Sequence, residues 1–400
     1  MRSVEEHQRI VAELITPRPA VRLPLAEAEG HALTADVVAP LSLPGFDNSA
    51  MDGYAVRAQD VAGAAEDTPV RLPVAEDIPA GRTDLLTLEP GTAHRIMTGA
   101  MMPSGATAVV QVERTDGGTD TVEIRASAAE GQSIRPAGGD VTAGTTVLRA
   151  GALVTPAALG LTAALGIAEL SVLPRLRVLV MSTGTELVAP GTALQPGQIY
   201  ESNAPMLAAA VREAGADAIT APMSTDDVDE FRAALTAHAS DADLIITTGG
   251  VSAGAYEVVK DALGDGSVEF AKVAMQPGMP QGAGRVAGTT PIITLPGNPV
   301  SALVSFEVFV RPALRAAMGL VNAHRPRRTA ELREDLTSPD GKRQFRRGVY
   351  DAAAGTVTSY GPPASHHLKW LASANCLLEI PEDVTELSYG TTVQIWDLTG

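Results

Sequence analysis

Cysteine, lysine, aromatic residues and long apolar runs are all scarce in this chain of 400 residues. The single cysteine, Cys376, excludes a disulfide framework and a zinc site built from several thiolates. The longest apolar stretch, residues 156–168, is too short to cross a bilayer, so we expect no membrane segment. The N-terminal residues are charged and have no apolar signal-peptide core, which favours a cytoplasmic protein.

The charge balance restricts the kind of ligand. A net charge of −17 argues against extended nucleic-acid binding, because such binding needs a basic face that neutralises phosphates. The net charge does not exclude a local basic pocket for a small phosphorylated molecule. With 45% hydrophobic and 19% charged residues, the chain is predicted to fold into two to four domains.

The residue pattern divides the chain into four parts. A small β domain is predicted at 46–136, because short β-like runs alternate there with Gly, Pro and Asp clusters. Residues 1–45 and 137–172 are predicted to form one discontinuous N-terminal domain. Residues 173–322 read as an α/β domain, and 323–400 as a β-rich C-terminal domain.

Within 173–322, strands alternate with helices, which indicates a parallel sheet with helices on both faces. The predicted strands are 178–181, 217–223, 243–248, 268–275 and 291–295.

Three of these strands end in similar turns. In a parallel sheet all carboxyl ends lie on one edge, so we expect the three turns to share one rim. Backbone N–H groups at such turns suit an anion, and a phosphate-bearing ligand is therefore favoured. The turns are Ser182-Thr183-Gly184, Thr248-Gly249-Gly250 and Leu295-Pro296-Gly297-Asn298-Pro299.

Residues 250–254 also match the pattern G-x-S-x-G, which can present a serine nucleophile on a strand-to-helix turn. Under this reading Ser252 would act in a serine hydrolase. Two observations count against it: Gly249 and Gly250 already end the strand, and the other two turns are left unexplained.

Several carboxylates sit beside Gly, Ser or Thr at predicted strand ends or loops. Such hard oxygen ligands suit Mg²⁺ that is held jointly with phosphate oxygens. Each of them alone fits a helix cap or a solvated turn equally well. They are Asp52, Asp140, Glu186 and Glu257.

Five motifs follow one another in a recognisable order: 48–56 (Asn-Ser-Ala-Met-Asp-Gly-Tyr-Ala-Val), 95–100 (Arg-Ile-Met-Thr-Gly-Ala), 182–187 (Ser-Thr-Gly-Thr-Glu-Leu), 248–252 (Thr-Gly-Gly-Val-Ser) and 295–300 (Leu-Pro-Gly-Asn-Pro-Val). Together they closely resemble the MoeA-type molybdopterin molybdenumtransferases, which are related to the E domain of gephyrin. The resemblance covers roughly residues 1–320, and the C-terminal part matches more loosely, through Ala374-Asn375.

The resemblance implies a multidomain α/β plus β fold. Its parts are a central doubly wound α/β pterin-binding domain, a small β domain, a discontinuous N-terminal domain used for dimerisation, and a C-terminal β-barrel-like domain. It also implies a homodimer with an active site shared between subunits, and a molybdopterin adenylyltransferase as partner. The implied reaction is Mg²⁺-dependent insertion of molybdate into adenylylated molybdopterin with release of AMP.

The motifs also carry site residues over by position. The implied catalytic residues are Asp52, Thr98, Asp140, Glu186 and Glu257, with Asp52 and Glu186 as Mg²⁺ ligands. The implied substrate-binding residues are Ser182, Gly184, Gly249, Gly250, Ser252, Lys272, Pro296, Gly297, Asn298 and Pro299.

Some positions depart from the family pattern. The family often has lysines where this chain has Gln276 and Met279, and usually Asp where it has Glu257. The lost positive charge would be replaced by one of five cations, namely Lys260, Lys272, Arg285, Arg346 and Arg347. A second hypothesis is therefore a pterin-binding scaffold, or a paralogue with weak turnover.

Overall fold

The computed structural model describes residues 1–221, 227–250, 258–264, 266–286 and 289–399. Its helices are α1 (Val4–Leu14), α2 (Leu25–Ala28), α3 (Pro156–Ala164), α4 (Asn203–Glu213), α5 (Val228–Ala239), α6 (Val258–Ala262), α7 (Pro299–Ser305), α8 (Arg311–Ala317) and α9 (Leu368–Ala372). Within the described ranges, no helix is long and apolar enough to cross a membrane.

The strands are short and follow the chain in three groups. The first is β1 (Val21–Pro24), β2 (Val37–Val38), β3 (Asn48–Ser49), β4 (Gly53–Val56), β5 (Val70–Ile78), β6 (Ala93–Ile96), β7 (Ala108–Gln111), β8 (Thr121–Ile124), β9 (Ile134–Arg135), β10 (Thr146–Leu148) and β11 (Glu169–Val172). The second is β12 (Arg177–Ser182), β13 (Leu187–Val188), β14 (Ile199–Tyr200), β15 (Asp217–Thr220), β16 (Leu244–Thr248), β17 (Val268–Lys272), β18 (Met275–Gln276), β19 (Pro280–Val286) and β20 (Thr290–Leu295). The third is β21 (Arg327–Leu332), β22 (Leu336–Thr337), β23 (Arg343–Asp351), β24 (Thr356–Ser359), β25 (Cys376–Ile380), β26 (Glu386–Leu387) and β27 (Thr392–Asp397).

The chain forms two compact units. The sheet–barrel unit consists of Met1–Leu23, Ala28–Thr34 and Ser171–Gly400, and the small-sheet unit of Pro24–Glu27 and Ala35–Leu170. The finer division into four domains at the boundaries predicted above stays a prediction.

The central sheet of the sheet–barrel unit has six strands in the order β15-β12-β16-β20-β19-β17. The first four are parallel, as predicted. The predicted strand 268–275 is shorter in the structure, and its predicted parallel pairing is wrong. Strand β17 pairs antiparallel with β19, which pairs antiparallel with β20. A parallel neighbour would need a crossover of about a dozen residues, and residues 273–279 are too few to supply one.

Strand β19 was not predicted because its glycines hide the strand pattern. A Cβ at Gly282 would lie 2.1 Å from Thr294 Oγ1, and one at Gly284 2.1 Å from the Ser267 carbonyl oxygen. Glycine is required at both places because neighbouring strands approach so closely.

Helices cover both faces of this sheet, which confirms the doubly wound α/β prediction. On one face, alternate residues such as Val180 and Ile246 pack with α1, α4, α7 and α8. On the other face, residues such as Met181 and Ile245 pack with α5 and α6. Strands buried on both sides read as continuous apolar runs, which is the pattern that made them predictable.

The C-terminal part closes into a barrel. Five strands follow the order β23-β24-β21-β27-β25, and an additional β23–β25 pairing joins the ends. Its interior contains Leu332, Val357, Leu378 and Ile395. The predicted β-barrel-like domain is thereby confirmed.

The small-sheet unit contains a five-stranded sheet in the order β7-β4-β6-β5-β8, packed around Tyr54, Val110 and Ile124. Outside that sheet, β2 pairs with β10, and a bridge joins Leu43 to Val141. These pairings connect the segments before and after the sheet, the arrangement expected of a discontinuous domain.

Candidate active site

The three predicted turns do share one rim in the sheet–barrel unit. The Ser182 and Thr248 hydroxyl oxygens lie 3.0 Å apart, and the Gly249 N–H donates to the Leu295 carbonyl oxygen at 3.3 Å. The carboxyl ends of β12, β16 and β20 are therefore adjacent, as the parallel register requires.

The rim is shaped by backbone rather than by side chains. Gly249 has φ +92°, and a Cβ there would lie 2.7 Å from the Thr183 carbonyl oxygen. A Cβ at Gly297 would lie 3.3 Å from the Gly249 Cα atom. Only glycine permits this left-handed, closely packed turn, which leaves room for a ligand to approach the backbone.

Part of the rim is already occupied by the chain itself. The Val300 N–H donates to the Ser365 carbonyl oxygen at 3.0 Å, and Asn298 Nδ2 donates to Ser365 Oγ at 2.9 Å. The Val300 N–H is thus unavailable to an anion, and the loop containing Ser365 is held against the turn.

Two residues that the sequence analysis does not identify also support the rim. Asn203 Nδ2 donates to the Gly297 carbonyl oxygen at 2.7 Å. The buried carboxylate of Glu201 accepts from the N–H groups of Asn203 at 2.7 Å and Ala204 at 3.0 Å, and so caps α4. The run Glu201-Ser202-Asn203 directly before α4 is the sequence signal that could have indicated them, because polar residues at this position cap helices.

Glu186 lies just beyond the first rim turn. Its side chain is exposed and curls back, since a Cβ at Gly184 would lie 2.7 Å from Glu186 Oε2. Glycine at 184 therefore makes space for this carboxylate.

Ser252 and Glu257 lie outside the described residues, so the predicted serine elbow and the predicted acid at 257 are untested. Pro296 and Pro299 flank Gly297 and Asn298 in the third turn.

In the small-sheet unit, the structure brings Asp52 and Thr98 together. Asp52 Oδ1 accepts from both the Thr98 N–H and the Thr98 hydroxyl, each at 2.7 Å. These two hydrogen bonds hold the pKa of the exposed Asp52 carboxyl below its ordinary value, with a smaller contribution from Arg95. Asp52 is thus held ionised, and Oδ1 takes both hydrogen bonds.

Asp140 lies in a loop of the same unit. Its N–H donates to the Leu43 carbonyl oxygen at 3.0 Å, and its side chain is exposed. The preceding turn is fixed by Asp47, whose Oδ1 accepts from the Ala137 N–H at 2.7 Å. Asp140 therefore has a defined backbone position.

A second cavity lies beside the rim, next to the loop that contains Ser365. Two consecutive arginines of β23, Arg346 and Arg347, are among its lining residues, although their side chains leave the strand on opposite faces. The cavity is lined by Gln276, Pro277, Val300, Gln344, Arg346 and Arg347, together with the loop residues. Gln344 Nε2 donates to Gln276 Oε1 at 2.6 Å, which ties the two walls together.

The two arginines are not neutralised. Within the described part of the chain, neither Arg346 nor Arg347 forms an ion pair. Burial lowers the pKa of Arg346, partly offset by Glu334, and burial together with Arg346 lowers the pKa of Arg347. Their hydrogen bonds go to uncharged oxygens of the chain: Arg346 donates to Ser359 Oγ at 3.1 Å and Arg347 to the His367 carbonyl oxygen at 3.0 Å. The positive charge is therefore not balanced by a neighbouring carboxylate, and this wall of the cavity can attract an oxyanion.

The other predicted cations differ in position. Lys272 ends β17 at the rim edge of the sheet, two strands beyond β20. Lys260 is exposed in α6, and its N–H donates to the Gly250 carbonyl oxygen at 3.3 Å. The prediction that Arg285 could replace a family lysine is wrong. Arg285 pairs with Pro291 at the start of β20, at the end of the sheet opposite the rim, and donates to the carbonyl oxygens of Thr289 and Leu14. It cannot replace a rim lysine.

Comparison with known families covers nearly the whole chain. Residues 2–166 match the MoeA N-terminal region (domains I and II), 179–316 a probable molybdopterin-binding domain, and 329–398 the MoeA C-terminal region (domain IV). Molybdopterin molybdenumtransferase 2 of Mycobacterium tuberculosis is 68% identical over 406 residues and covers 100% of both chains. The chain belongs to the MoeA family of molybdopterin molybdenumtransferases.

Other members of the MoeA family are similar to this chain over nearly its full length. The molybdopterin molybdenumtransferase of Haemophilus influenzae is 36% identical and covers 98% of this chain and 97% of its own. The crystal structure of the molybdopterin biosynthesis MoeA protein of Pyrococcus horikosii has a TM-score of 0.84 at 30% identity, covering 100% and 99% of the two chains.

Membership makes the chain a transferase of molybdenum cofactor biosynthesis, which confirms the predicted family and enzyme class. It favours this class over the serine-hydrolase hypothesis. The roles of the individual site residues are not tested by the comparison.

Proposed function

We propose that this MoeA-family enzyme inserts molybdate into adenylylated molybdopterin and releases AMP, in a reaction that depends on Mg²⁺. The observation that supports it most directly is the cavity with unneutralised Arg346 and Arg347 next to a backbone-lined rim. The cavity has a volume of about 10 Å³, room for about one water molecule, so a tetrahedral oxyanion would meet the arginines at its opening. The rim suits a phosphorylated ligand.

The chemistry of the substrates matches these two sites. Molybdate, the pterin dithiolene and the phosphates are all anionic, so they must be screened to approach one another. The guanidinium groups would hold molybdate by charge-assisted hydrogen bonds. The rim would hold the pterin nucleotide through Ser182 and the glycine turns, while Asn298 and Ser365 keep the two sites in contact.

Magnesium fits the carboxylates available. Mg²⁺ is usually held by one or two carboxylates together with substrate phosphates and water. Asp52 is ionised and Glu186 is exposed, so both fit as ligands. No cluster of three or more acidic, His or Cys side chains occurs among the described residues. When bound, the ion supplies stabilisation of charge on the adenylyl phosphate.

The test is direct reconstitution. Purified enzyme, adenylylated molybdopterin and molybdate should release AMP with Mg²⁺ and not with EDTA, and the product should activate an apo-molybdoenzyme. Asp52→Asn should reduce AMP release by roughly 100-fold, the scale seen when a transition-state electrostatic contact is lost. The matched control is Asp67→Asn, which changes an exposed acid of the same unit.

Two outcomes would count against this function. Absence of AMP release and of cofactor formation would exclude molybdate insertion. Tight pterin binding with full function in Asp52→Asn would instead favour the pterin-binding scaffold.

We also propose a cytoplasmic homodimer whose site combines residues of both subunits, supplied by a molybdopterin adenylyltransferase. Complementation tests the shared site: neither Asp52→Asn nor Glu186→Gln is active alone, but a mixture should recover about a quarter of wild-type activity, because a mixed two-fold dimer contains one intact site. No recovery after subunit exchange would place Asp52 and Glu186 in the site of a single subunit.

A further inference from the structure

The N-terminal residues of the sheet–barrel unit contact both strands that wall the arginine cavity. The Arg2 N–H donates to the Lys272 carbonyl oxygen at 2.9 Å, and the Ala274 N–H donates to the Arg2 carbonyl oxygen at 2.8 Å. Arg2 therefore extends the sheet at the segment that leads from β17 into β18. This segment continues directly into Gln276 and Pro277, one wall of the cavity.

The Arg2 side chain reinforces this attachment. It is only 9% exposed and forms ion pairs with Glu269 on β17 and, at 3.8 Å, with Glu6 on α1. Its Nη1 also lies 3.3 Å from His7 Nδ1. The guanidinium thus joins the first turn of α1 to the strand that ends at Lys272.

A second contact attaches α1 to the other wall. Glu5 pairs with Arg343 at 2.6 Å, and the Arg343 N–H donates to the Ala274 carbonyl oxygen at 2.9 Å. Arg343 is the first residue of β23, and Arg346 and Arg347 follow three and four residues later on the same strand. Arg343 is also held by Glu382 at 3.0 Å.

Neither Arg2 nor Glu5 lines the cavity. Both act on the Ala274 segment, where β18 pairs with β23 in the register Met275–Arg343 and Gln276–Gln344. Arg2 and Glu5, which we call the N-terminal clasp, thus contact the chain at the point where β18 meets β23.

We propose that the N-terminal clasp is a positioning element that sets the separation of the cavity walls and thereby the affinity of the cavity for a tetrahedral oxyanion. This proposal rests on the proposed function, since it takes molybdate as the oxyanion. Exposed ion pairs add little to stability, and Glu5 is 54% exposed, so a purely structural role would give only a small effect.

The experiment uses the full-length enzyme with two variants at one position. Arg2→Ala removes the side chain only, whereas Arg2→Pro also removes the N–H that binds the Lys272 carbonyl oxygen. We expect KM for molybdate to rise roughly three-fold for Arg2→Ala and roughly ten-fold for Arg2→Pro, the range seen for residues coupled to a site without touching it. The KM for adenylylated molybdopterin and kcat at saturating molybdate should stay unchanged.

Matched controls come from the same helix. Arg9→Ala and Glu13→Gln change exposed residues of α1 and should leave both KM values unchanged. Glu5→Gln should raise KM for molybdate. Arg2→Lys should keep KM for molybdate close to the wild-type value, because the lysine retains the positive charge beside Glu269.

Isothermal titration of the wild-type enzyme with molybdate, without turnover, separates the two proposals. If the wild type shows no molybdate binding, the proposed function fails and the clasp proposal fails with it. If the wild type binds molybdate but Arg2→Pro matches Arg9→Ala, the clasp proposal alone is wrong. A lower kcat and a comparable rise in both KM values, together with a lower Tm, would assign Arg2 a structural role only.

Discussion

The sheet–barrel unit contains two pairs of buried arginines that differ in one respect. Arg325 forms a bidentate pair with Glu307, at 2.9 and 3.0 Å, and Arg311 lies 3.6 Å from the same carboxylate. Among the described residues, Arg346 and Arg347 donate to hydroxyl and carbonyl oxygens, such as Ser359 Oγ at 3.1 Å and the His367 carbonyl oxygen at 3.0 Å. One pair has a carboxylate of the chain between its members, and the other lines a cavity.

The pKa shifts show what this difference means. Burial alone would lower the pKa of Arg325, but its hydrogen bonds and charge interaction with Glu307 raise it above the ordinary value. Burial dominates at Arg346 and Arg347 and lowers the pKa of each, and it also lowers the pKa of Arg311. Among these four arginines, only Arg325 has a pKa above its ordinary value. The two pairs therefore differ in the carboxylate of Glu307, which neutralises buried charge in one pair and, within the described ranges, has no counterpart beside the other. Four measurements test this contrast.

Removing the carboxylate from the neutralised pair should have the largest effect. Glu307→Gln leaves Arg311 and Arg325 buried without their partner, and should lower the free energy of unfolding by about 3 kcal/mol. Urea unfolding followed by fluorescence reports this, because both tryptophans, Trp370 and Trp396, lie in the C-terminal part. KM for molybdate should stay within two-fold of the wild type; a large rise would mean that both arginine pairs serve binding.

Removing an unneutralised arginine should act on catalysis instead. Arg346→Gln should lower kcat/KM for molybdate by roughly 100-fold, as for loss of one preorganised charge contact, without lowering Tm. The control is Arg212→Gln, an exposed arginine of α4. A lower Tm with unchanged kcat/KM would show that Arg346 is structural, and the contrast with Arg325 would disappear.

Adding a carboxylate should convert the second pair into a version of the first. Gln344 is buried in the cavity wall, so Gln344→Glu would place a negative charge beside Arg346 and Arg347. KM for molybdate should rise roughly ten-fold through competition for the guanidinium groups, while Tm stays equal or rises. Unchanged KM would mean that the oxyanion binds elsewhere.

Per pH unit, the smallest expected effect is the pH dependence of stability at His7. Burial, helped by Arg2, lowers the pKa of His7 from 6.5 to about 4. The folded state then binds fewer protons than the unfolded state between these values. Stability should therefore be fully present above pH 6.5 and fall toward pH 4, by roughly 1 kcal/mol per pH unit. Unfolding curves at several pH values should show a shallower slope for His7→Gln; equal slopes would assign the acid sensitivity to other groups.

Much of the fold was readable because its signals are local. The parallel strands were predicted from apolar runs that end in glycine, and the rim followed from the shared direction of those strands. Strand β19 was missed because Gly282 and Gly284 fit a close approach between strands that only the paired structure shows.

The candidate site was less predictable since its contacts join distant residues. Asp52 and Thr98 are 46 positions apart, and Gln276 and Gln344 are 68 apart. No local pattern indicates either pairing. The arginines of the cavity were named as candidates by charge alone, yet Arg285 had the same charge and lies at the opposite edge of the sheet.

The helical run from Pro299 to Ala317 is interrupted by one π-helical segment, Phe306–Val310, between α7 and α8. Gln8 of α1 donates its Nε2 to the Val308 carbonyl oxygen at 3.1 Å, which supplies a partner for the widened turn. Such a segment contains one residue more than a regular helix, and each residue turns the helix by about 100°. Deleting one residue there would restore a regular helix but rotate Val300 away from the cavity while Glu307 and Arg311 stay in place. The extra residue thus keeps the binding end and the stabilising end of a single helix in phase.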